Sequence, residues 1–330
     1  GDDFDEVCVG RDTRTSAPMI ESALVSGLTC AGANVTLLGI IPTPTLAHYC
    51  ENFGCGVMIT ASHNPPEYIG VKLWNSDGSA FDSKQQRGIE KKIEEVKKVK
   101  RASWKDVGII SVDEGAVDFH VEKILKRCEA DTSFTVVCDT GCGAGGVVLP
   151  HLLERMGCKV ITLNAQLDGH FPGREPEPVE ENLKELMSLV KSSGADLGVA
   201  QDGDADRAVF VDEKGRYVDG DTILAIFADY ILSHSPPNSK VVTPVSTSLK
   251  VVDVVEKKGE IVWTPVGSIH VARMMMKMGA VFGGEGNGGL IFPEHQYCRD
   301  GAMATAKMLE LLAHEGRPLS ELVDDTPEYV

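Results

Sequence analysis

The chain has 330 residues, 42% hydrophobic and 25% charged, with a formal net charge of −17. This is the composition of a globular protein too long for one ordinary core, and it suggests two or three domains. No apolar run approaches the roughly 18 residues that span a bilayer. The acidic excess opposes nonspecific binding to nucleic acid or anionic membranes, but admits a small anionic substrate where a few basic residues converge.

The first residues, GDDFDEV, lack a leader of the charged-then-apolar kind, and with no initiating methionine the chain reads as a fragment. Nine cysteines occur without a CxxC pair, and Cys8, Cys138 and Cys158 sit inside apolar runs. That usage fits small buried hydrophobes in a reducing cytoplasm.

Residues 6–40 form the first predicted unit: a β-branched strand, a polar turn, an amphipathic helix, a glycine stop and a second strand. Ser16 is placed to cap the helix and Pro18 to open it, with Met19, Ile20, Ala23, Leu24, Gly27 and Leu28 on one face. The turn GRDTRTS sets Arg11 and Arg14 before that helix, where an anion or a surface ion pair are both reasonable partners.

Next comes VMITASHNPPEYIGVKLW, a strand that breaks into Ser62, His63 and Asn64, pinned by Pro65 and Pro66 and followed by Lys72. An isolated serine is ordinarily a cap or turn residue. Here the prolines stiffen the loop, which suits a reacting group. The flanks exclude a G-x-S-x-G elbow, and adjacent Ser and His side chains point apart. A serine needing no local base is one that accepts and returns a phosphoryl group. Residues 83–101 carry Ile89, Ile93, Val96 and Val99 at helical spacing among charges, which predicts a helix with one buried stripe.

The same unit recurs at residues 133–165 and 239–267. Gly32, Gly157 and Gly259 stand where left-handed helix ends are expected. Strand–helix–strand units with apolar strands imply parallel pairing and three consecutive similar α/β domains. We place them at 1–130, 131–235 and 236–330, with SHSPPNSK as the second linker. The run GCGAGG, Gly141–Gly146, matches G-x-G-x-x-G, but the following strand ends TLNAQ without the acid a dinucleotide site wants.

In VAQDGDADRAVFVD, Asp202, Asp204 and Asp206 alternate with small residues, so an extended loop would aim all three to one side. Such carboxylates repel unless a cation joins them, and oxygen-only ligands suit Mg²⁺. The EF-hand spacing is not met. An acidic surface turn is the plain alternative, and Arg207 reads as a counter-ion or a phosphate contact. In VFGGEGNGGLIF, Glu285 and Asn287 among four glycines suit the hydroxyls of a sugar, or an ordinary hairpin turn.

TASHNP with Lys72, DGDADR and GEGNGG, in this order, resemble the α-D-phosphohexomutases, nearest the archaeal phosphomannomutase/phosphoglucomutase and phosphoglucosamine mutase branch. GRDTRTS, PTPT, DGHFPGREPEP and TPVGS are similar to further family segments, so the resemblance spans the chain. It implies an active-site cleft between the domains, with Ser62 carrying the phosphoryl group. It implies Mg²⁺ held by Asp202, Asp204, Asp206 and Ser62, with Lys72 as general acid/base and His63 and Arg14 near the transferring group. Arg11, Asn64, Arg207, Gly267, Glu285 and Asn287 become substrate contacts. The implied reaction interconverts hexose 1- and 6-phosphates of mannose or glucose, or of glucosamine, with a hexose 1,6-bisphosphate as activator. The expected partner is a sugar phosphate, not nucleic acid or membrane, with the chain a monomer or homo-oligomer.

The family's fourth domain, with its phosphate-gripping loop, is not among these residues, so this stretch alone is expected to be a weak catalyst. A Mg²⁺-dependent sugar phosphatase and a non-catalytic sugar-phosphate binder are the competing readings. Ala205 stands where the family usually has glycine, and Ile69 where asparagine is common. The metal loop is expected to tolerate the methyl provided Ala205 avoids positive φ.

Overall fold

In a computed structural model, which describes residues 5–95, 101–128, 133–327 and 329, the chain builds three mixed sheets. The first holds β1 (Glu6–Arg11), β2 (Asn34–Ile40), β3 (Cys55–Ile59), β4 (Val71–Asn75) and β5 (Ile110–Val112) in the order β4-β3-β1-β2-β5. The second holds β6 (Thr135–Asp139), β7 (Lys159–Leu163), β8 (Leu197–Gln201), β9 (Ala208–Asp212) and β10 (Tyr217–Val218) in the order β10-β9-β8-β6-β7. The third holds β11 (Lys240–Pro244), β12 (Glu260–Thr264), β13 (Phe282–Glu285) and β14 (Gly289–Ile291) in the order β12-β11-β13-β14.

One construction repeats in all three. Parallel strands fill the centre, and one of them turns into an antiparallel neighbour: β3 into β4, β8 into β9, β13 into β14. The serine, aspartate and glutamate loops are these three turns. Loops at the carboxyl ends of parallel strands face a crevice, the usual ligand position in such sheets. The three α/β units expected from the sequence are therefore present.

The helices on the first unit are α1 (Ala17–Cys30), α2 (Thr43–Tyr49), α3 (Ser83–Glu94) and α4 (Ala116–Leu125). α5 (Leu149–Arg155) and α6 (Lys184–Ser193) flank the second sheet. α7 (Gly220–Ser233), α8 (Leu249–Val255), α9 (Ser268–Met278), α10 (Gly301–Glu315) and α11 (Leu319–Asp324) follow. The largest core runs from α4 and α5 through β6, β8 and β9 to α7, β11, β13 and α10, so the second and third sheets share buried apolar side chains such as Phe210, Phe227, Phe282 and Met303.

Local expectations fare unevenly. Ser16 sits at the start of α1 but makes no capping hydrogen bond. α1 buries Ala17, Val25 and Thr29, with Ile20, Leu24 and Leu28 partly covered, whereas Met19, Ala23 and Gly27 are exposed. The apolar face is rotated because the sheet meets the helix along the Val25 row. Gly32 and Gly157 take positive φ, but Gly259 does not. A side chain at 259 would strike the Ser239 carbonyl at 2.5 Å, so that glycine serves close packing. No residue of α3 is buried: Ile89 is partly covered and Ile93 is exposed. Val96, Val99 and the boundary expected at 130/131 lie outside the described residues.

Among the described residues no helix is long and apolar enough to cross a membrane. All nine cysteines are free thiols.

Candidate active site

The serine loop is built around Arg14, which follows the carboxyl end of β1. Its guanidinium has five N–H donors, and all five are used. Nε meets Asp12 Oδ2 at 3.1 Å, Nη1 donates to the carbonyls of Pro65 and Tyr68, and Nη2 donates to those of Ser62 and Asn64. Arg14 is fully buried. Arg14 thus lies beside Ser62, where a place near the transferring group was expected, but it clamps the loop with every N–H donor already engaged. Ser62 is held at φ 54°, a left-handed conformation uncommon outside glycine, with its N–H on Thr60 Oγ1 at 2.8 Å.

The aspartate loop abuts it. A Cβ at Gly203 would stand 2.7 Å from the Ser62 carbonyl, and a Cβ at Gly143 would stand 2.7 Å from the Gly203 carbonyl. Ala144 N–H donates to that same carbonyl at 2.9 Å. GCGAGG is thus a seat for the aspartate loop, which is why its glycines imitate a dinucleotide fingerprint.

The three carboxylates converge by a turn rather than by the extended alternation expected. Ala205 N–H closes on the Asp202 carbonyl at 3.1 Å, and Ala205 takes φ 56°. The condition set for tolerating its methyl is therefore not met, and the loop carries strain where glycine would carry none. Asp202, Asp204 and Asp206 each place an oxygen within 4.8 Å of the others, and all are buried.

Ser62 Oγ donates to Asp202 Oδ2 at 2.8 Å. Lys72 Nζ lies 2.6 Å from Asp204 Oδ2 and 3.8 Å from Asp206 Oδ2. Burial, then the carboxylates of Asp206 and Asp204, hold Asp202 well above the ordinary carboxylate range. Burial also works against the charge on Asp204, but Lys72, Thr43 and Arg299 outweigh it and hold that group low. Burial opposes the Lys72 ammonium too, yet Asp204 and Asp206 raise its pKa, so it stays protonated. Asp204 Oδ1 and Asp206 Oδ1 are buried with no hydrogen-bond partner. Two orphaned carboxylate oxygens beside a third carboxylate and a hydroxyl fit a hard divalent cation.

Arg207 reaches back to the first unit, with Nη2 3.0 Å from His63 Nδ1. A guanidinium only donates, so His63 Nδ1 accepts. Burial, then Arg207, lower the pKa of His63. The neutral ring therefore carries its proton on Nε2 and is a donor, not a base.

Sequence reasoning missed Arg299. Its Nη2 pairs with Asp206 Oδ2 at 2.5 Å and its Nη1 with Glu285 Oε2 at 2.8 Å, which joins the aspartate and glutamate loops. An arginine in an unremarkable CRDG run, eight residues past the end of β14, gave no signal. Thr43 was also missed: its N–H meets the Asp204 carbonyl at 2.9 Å and its Oγ1 meets Asp204 Oδ2 at 2.5 Å.

Ser62, His63, Lys72, Asp206, Arg207 and Arg299 line one cleft of about 560 Å³. Asp202 and Asp204 lie behind them. The other expected contacts stand differently. Arg11 Nε pairs with Glu21 Oε2 at 3.4 Å, the ion-pair alternative. Asn64 Nδ2 donates within its own loop to the Ala61 carbonyl at 3.0 Å. Glu285 is buried, with Oε2 on Arg299 and Oε1 accepting from Gly267 N–H at 3.1 Å, so its carboxylate is already engaged. Asn287 is exposed and accepts from Gly289 N–H at 3.1 Å.

Three family models match, described as phosphoglucomutase/phosphomannomutase alpha/beta/alpha domain I over residues 3–100, domain II over 114–215 and domain III over 219–329. A probable phosphoglucosamine mutase of Methanosarcina barkeri is 50% identical over 321 residues, covering 97% of this chain and 72% of that protein. A phosphoglucomutase/phosphomannomutase of Thermococcus kodakarensis is 44% identical, covering 98% of this chain and 72% of its own length. A crystal structure of a phosphoglucomutase/phosphomannomutase family protein from Burkholderia thailandensis superposes with TM-score 0.89 at 30% identity, covering 99% of this chain and 72% of that one.

Proposed function

Since the chain belongs to the phosphoglucomutase/phosphomannomutase family of phosphohexomutases, we propose that it interconverts the 1- and 6-phosphates of an aldohexose, with glucosamine phosphate preferred and Ser62 carrying the phosphoryl group. The observation that carries the reading is the 2.8 Å contact between Ser62 Oγ and Asp202 at the edge of a cation-ready cluster, in a cleft lined by basic side chains. The names of the relatives from Methanosarcina barkeri and Methanosarcina acetivorans, both probable phosphoglucosamine mutases at 50% and 48% identity, support the amino sugar over mannose or glucose.

Mg²⁺ held by Asp202, Asp204, Asp206 and the Ser62 oxygen would neutralise charge on the phosphoryl group. The chain's own residues do the rest. A hydroxyl of the bound sugar phosphate attacks the phosphorus on Ser62, a new P–O bond forms, and the Ser62 oxygen leaves. The protonated Lys72 on the cleft wall gives its proton to the leaving Ser62 oxygen and takes up the one the sugar hydroxyl releases, so it ends the step in its starting state. His63 Nε2 and the Arg207 guanidinium supply donors for the phosphoryl oxygens. The hexose 1,6-bisphosphate so formed turns round and returns its other phosphoryl group to Ser62.

Phosphorus-31 spectra of the chain with Mg²⁺, a trace of bisphosphate and glucosamine, glucose or mannose 1-phosphate test this. Conversion to the 6-phosphate, fastest for glucosamine, is expected. Release of inorganic phosphate in place of isomer would make the protein a phosphatase.

A further inference from the structure

A second cluster of metal-ligand side chains lies away from the cleft. His48 on α2, His120 on α4 and His295 in the segment before α10 each place one ring nitrogen within 4.8 Å of the others. Asp300, which opens α10, joins them: its Oδ2 is 2.8 Å from His120 Nε2 and 3.1 Å from His295 Nε2. His120 Nε2 and His295 Nε2 are themselves 3.4 Å apart. Two nitrogens on one tetrahedral zinc, with Zn–N bonds of about 2.0–2.1 Å, stand about 3.3–3.4 Å apart by simple geometry.

The surroundings point the same way. The side chain of His295 is 1% exposed, yet its Nδ1 has no partner; nor have His48 Nδ1 and Gln296 Oε1 nearby. Of these, the His48 nitrogen is the one that a purely hydrogen-bonded cluster leaves unexplained, because His295 turns its Nε2 toward Asp300 and Gln296 donates its amide N–H to the same oxygen at 2.9 Å. His120 Nδ1 lies 2.8 Å from Thr45 Oγ1, the outer contact that a ligating histidine ordinarily makes with its other nitrogen.

We propose that His48, His120, His295 and Asp300 form a structural site for a zinc-class divalent ion, separate from the oxygen-only Asp202–Asp206 cluster. Nitrogen donors select zinc or cobalt over Mg²⁺, so the two sites sort their metals by chemistry. The ion would join the first unit to the third. It would also fix two segments that touch the aspartate loop: α2, whose Thr43 holds Asp204, and the 299–300 corner, whose Arg299 holds Asp206. These are positioning roles, and the site has no direct part in phosphoryl transfer.

The test is cobalt titration of the metal-stripped chain in excess Mg²⁺, followed by visible absorption. It does not depend on mutase activity. One equivalent of Co²⁺ with tetrahedral absorption, displaced by Zn²⁺ and accompanied by a higher melting temperature, is expected. His48→Gln and His295→Gln should each weaken binding at least about tenfold, while Asp202→Asn leaves it in place. No cobalt retained against Mg²⁺, or retention abolished by Asp202→Asn and unaffected by the histidine changes, would overturn the site. The wild-type spectrum decides the matter even if a histidine variant misfolds.

Discussion

The Ser62 hydroxyl donates to Asp202 Oδ2 at 2.8 Å although 140 residues separate the two in the chain. The contact exists because two hairpin-like turns, each leaving the carboxyl end of a parallel strand, meet backbone to backbone at Gly203 and the Ser62 carbonyl. Its geometry is fixed from behind by Arg14, under the serine loop, and from the cleft wall by Arg299, beside Asp206.

Arg14→Lys should disorder the serine loop. Lysine keeps the charge but has three donors against five, so at least two loop carbonyls or Asp12 lose their partner. A destabilisation of about 2–4 kcal/mol is expected, with a larger loss of turnover than of substrate binding. Denaturant unfolding and steady-state kinetics check both. A variant as stable and active as the parent would show that the clamp is dispensable.

Arg299→Met removes the charge between Asp206 and Glu285. Breaking a buried ion pair on one side strands the carboxylates and should cost about 3–5 kcal/mol. Equilibrium unfolding reads it. If the cost stays below about 1 kcal/mol, Arg299 is an ornament of the cleft wall.

Ala205→Gly should stabilise the protein, by up to about 1 kcal/mol. Relief of the left-handed strain outweighs the lost methyl contact and the added freedom of the unfolded chain. The denaturation midpoint moves up if this is right, and down if the methyl's packing dominates.

Alkaline pH should weaken the fold through its buried thiols. Burial pushes Cys55 and Cys138 each up to about 12 from an ordinary 9.0. A raised folded-state pKa means stability that is present below pH 9 and lost as pH climbs from there toward 12, because the folded chain keeps protons the unfolded chain has released. Each thiol contributes a slope of about 1.4 kcal/mol per pH unit in that window. Unfolding curves from pH 7 to 10.5 should show a flat region and then a decline; stability constant to pH 10.5 would contradict it.

Much of this architecture could be read in advance. Strand–turn–helix–strand patterning is local, so three units are visible in residues 6–40, 133–165 and 239–267, each followed further along the chain by one loop of unusual composition. The aspartate triad and the Ser62 loop stood out because Asp202, Asp204 and Asp206, and the paired prolines, are informative within a few positions. What was hidden depends on long-range packing. Arg14 looked like a phosphate ligand because nothing nearby shows that four carbonyls from residues 62–68 come round to it. Arg299 was invisible because its two partners lie 93 and 14 residues away. The rotated face of α1 has the same origin: periodicity limits which residues share a stripe, but the sheet decides which stripe is covered.

The most direct test asks whether Ser62 carries phosphate. The chain is incubated with Mg²⁺ and a hexose 1,6-bisphosphate, digested, and its peptides are weighed. An added mass of about 80 Da, one phosphoryl group, on the peptide containing Ser62 is predicted, and none in Ser62→Ala. Phosphate on a different residue, or on none, would contradict the account.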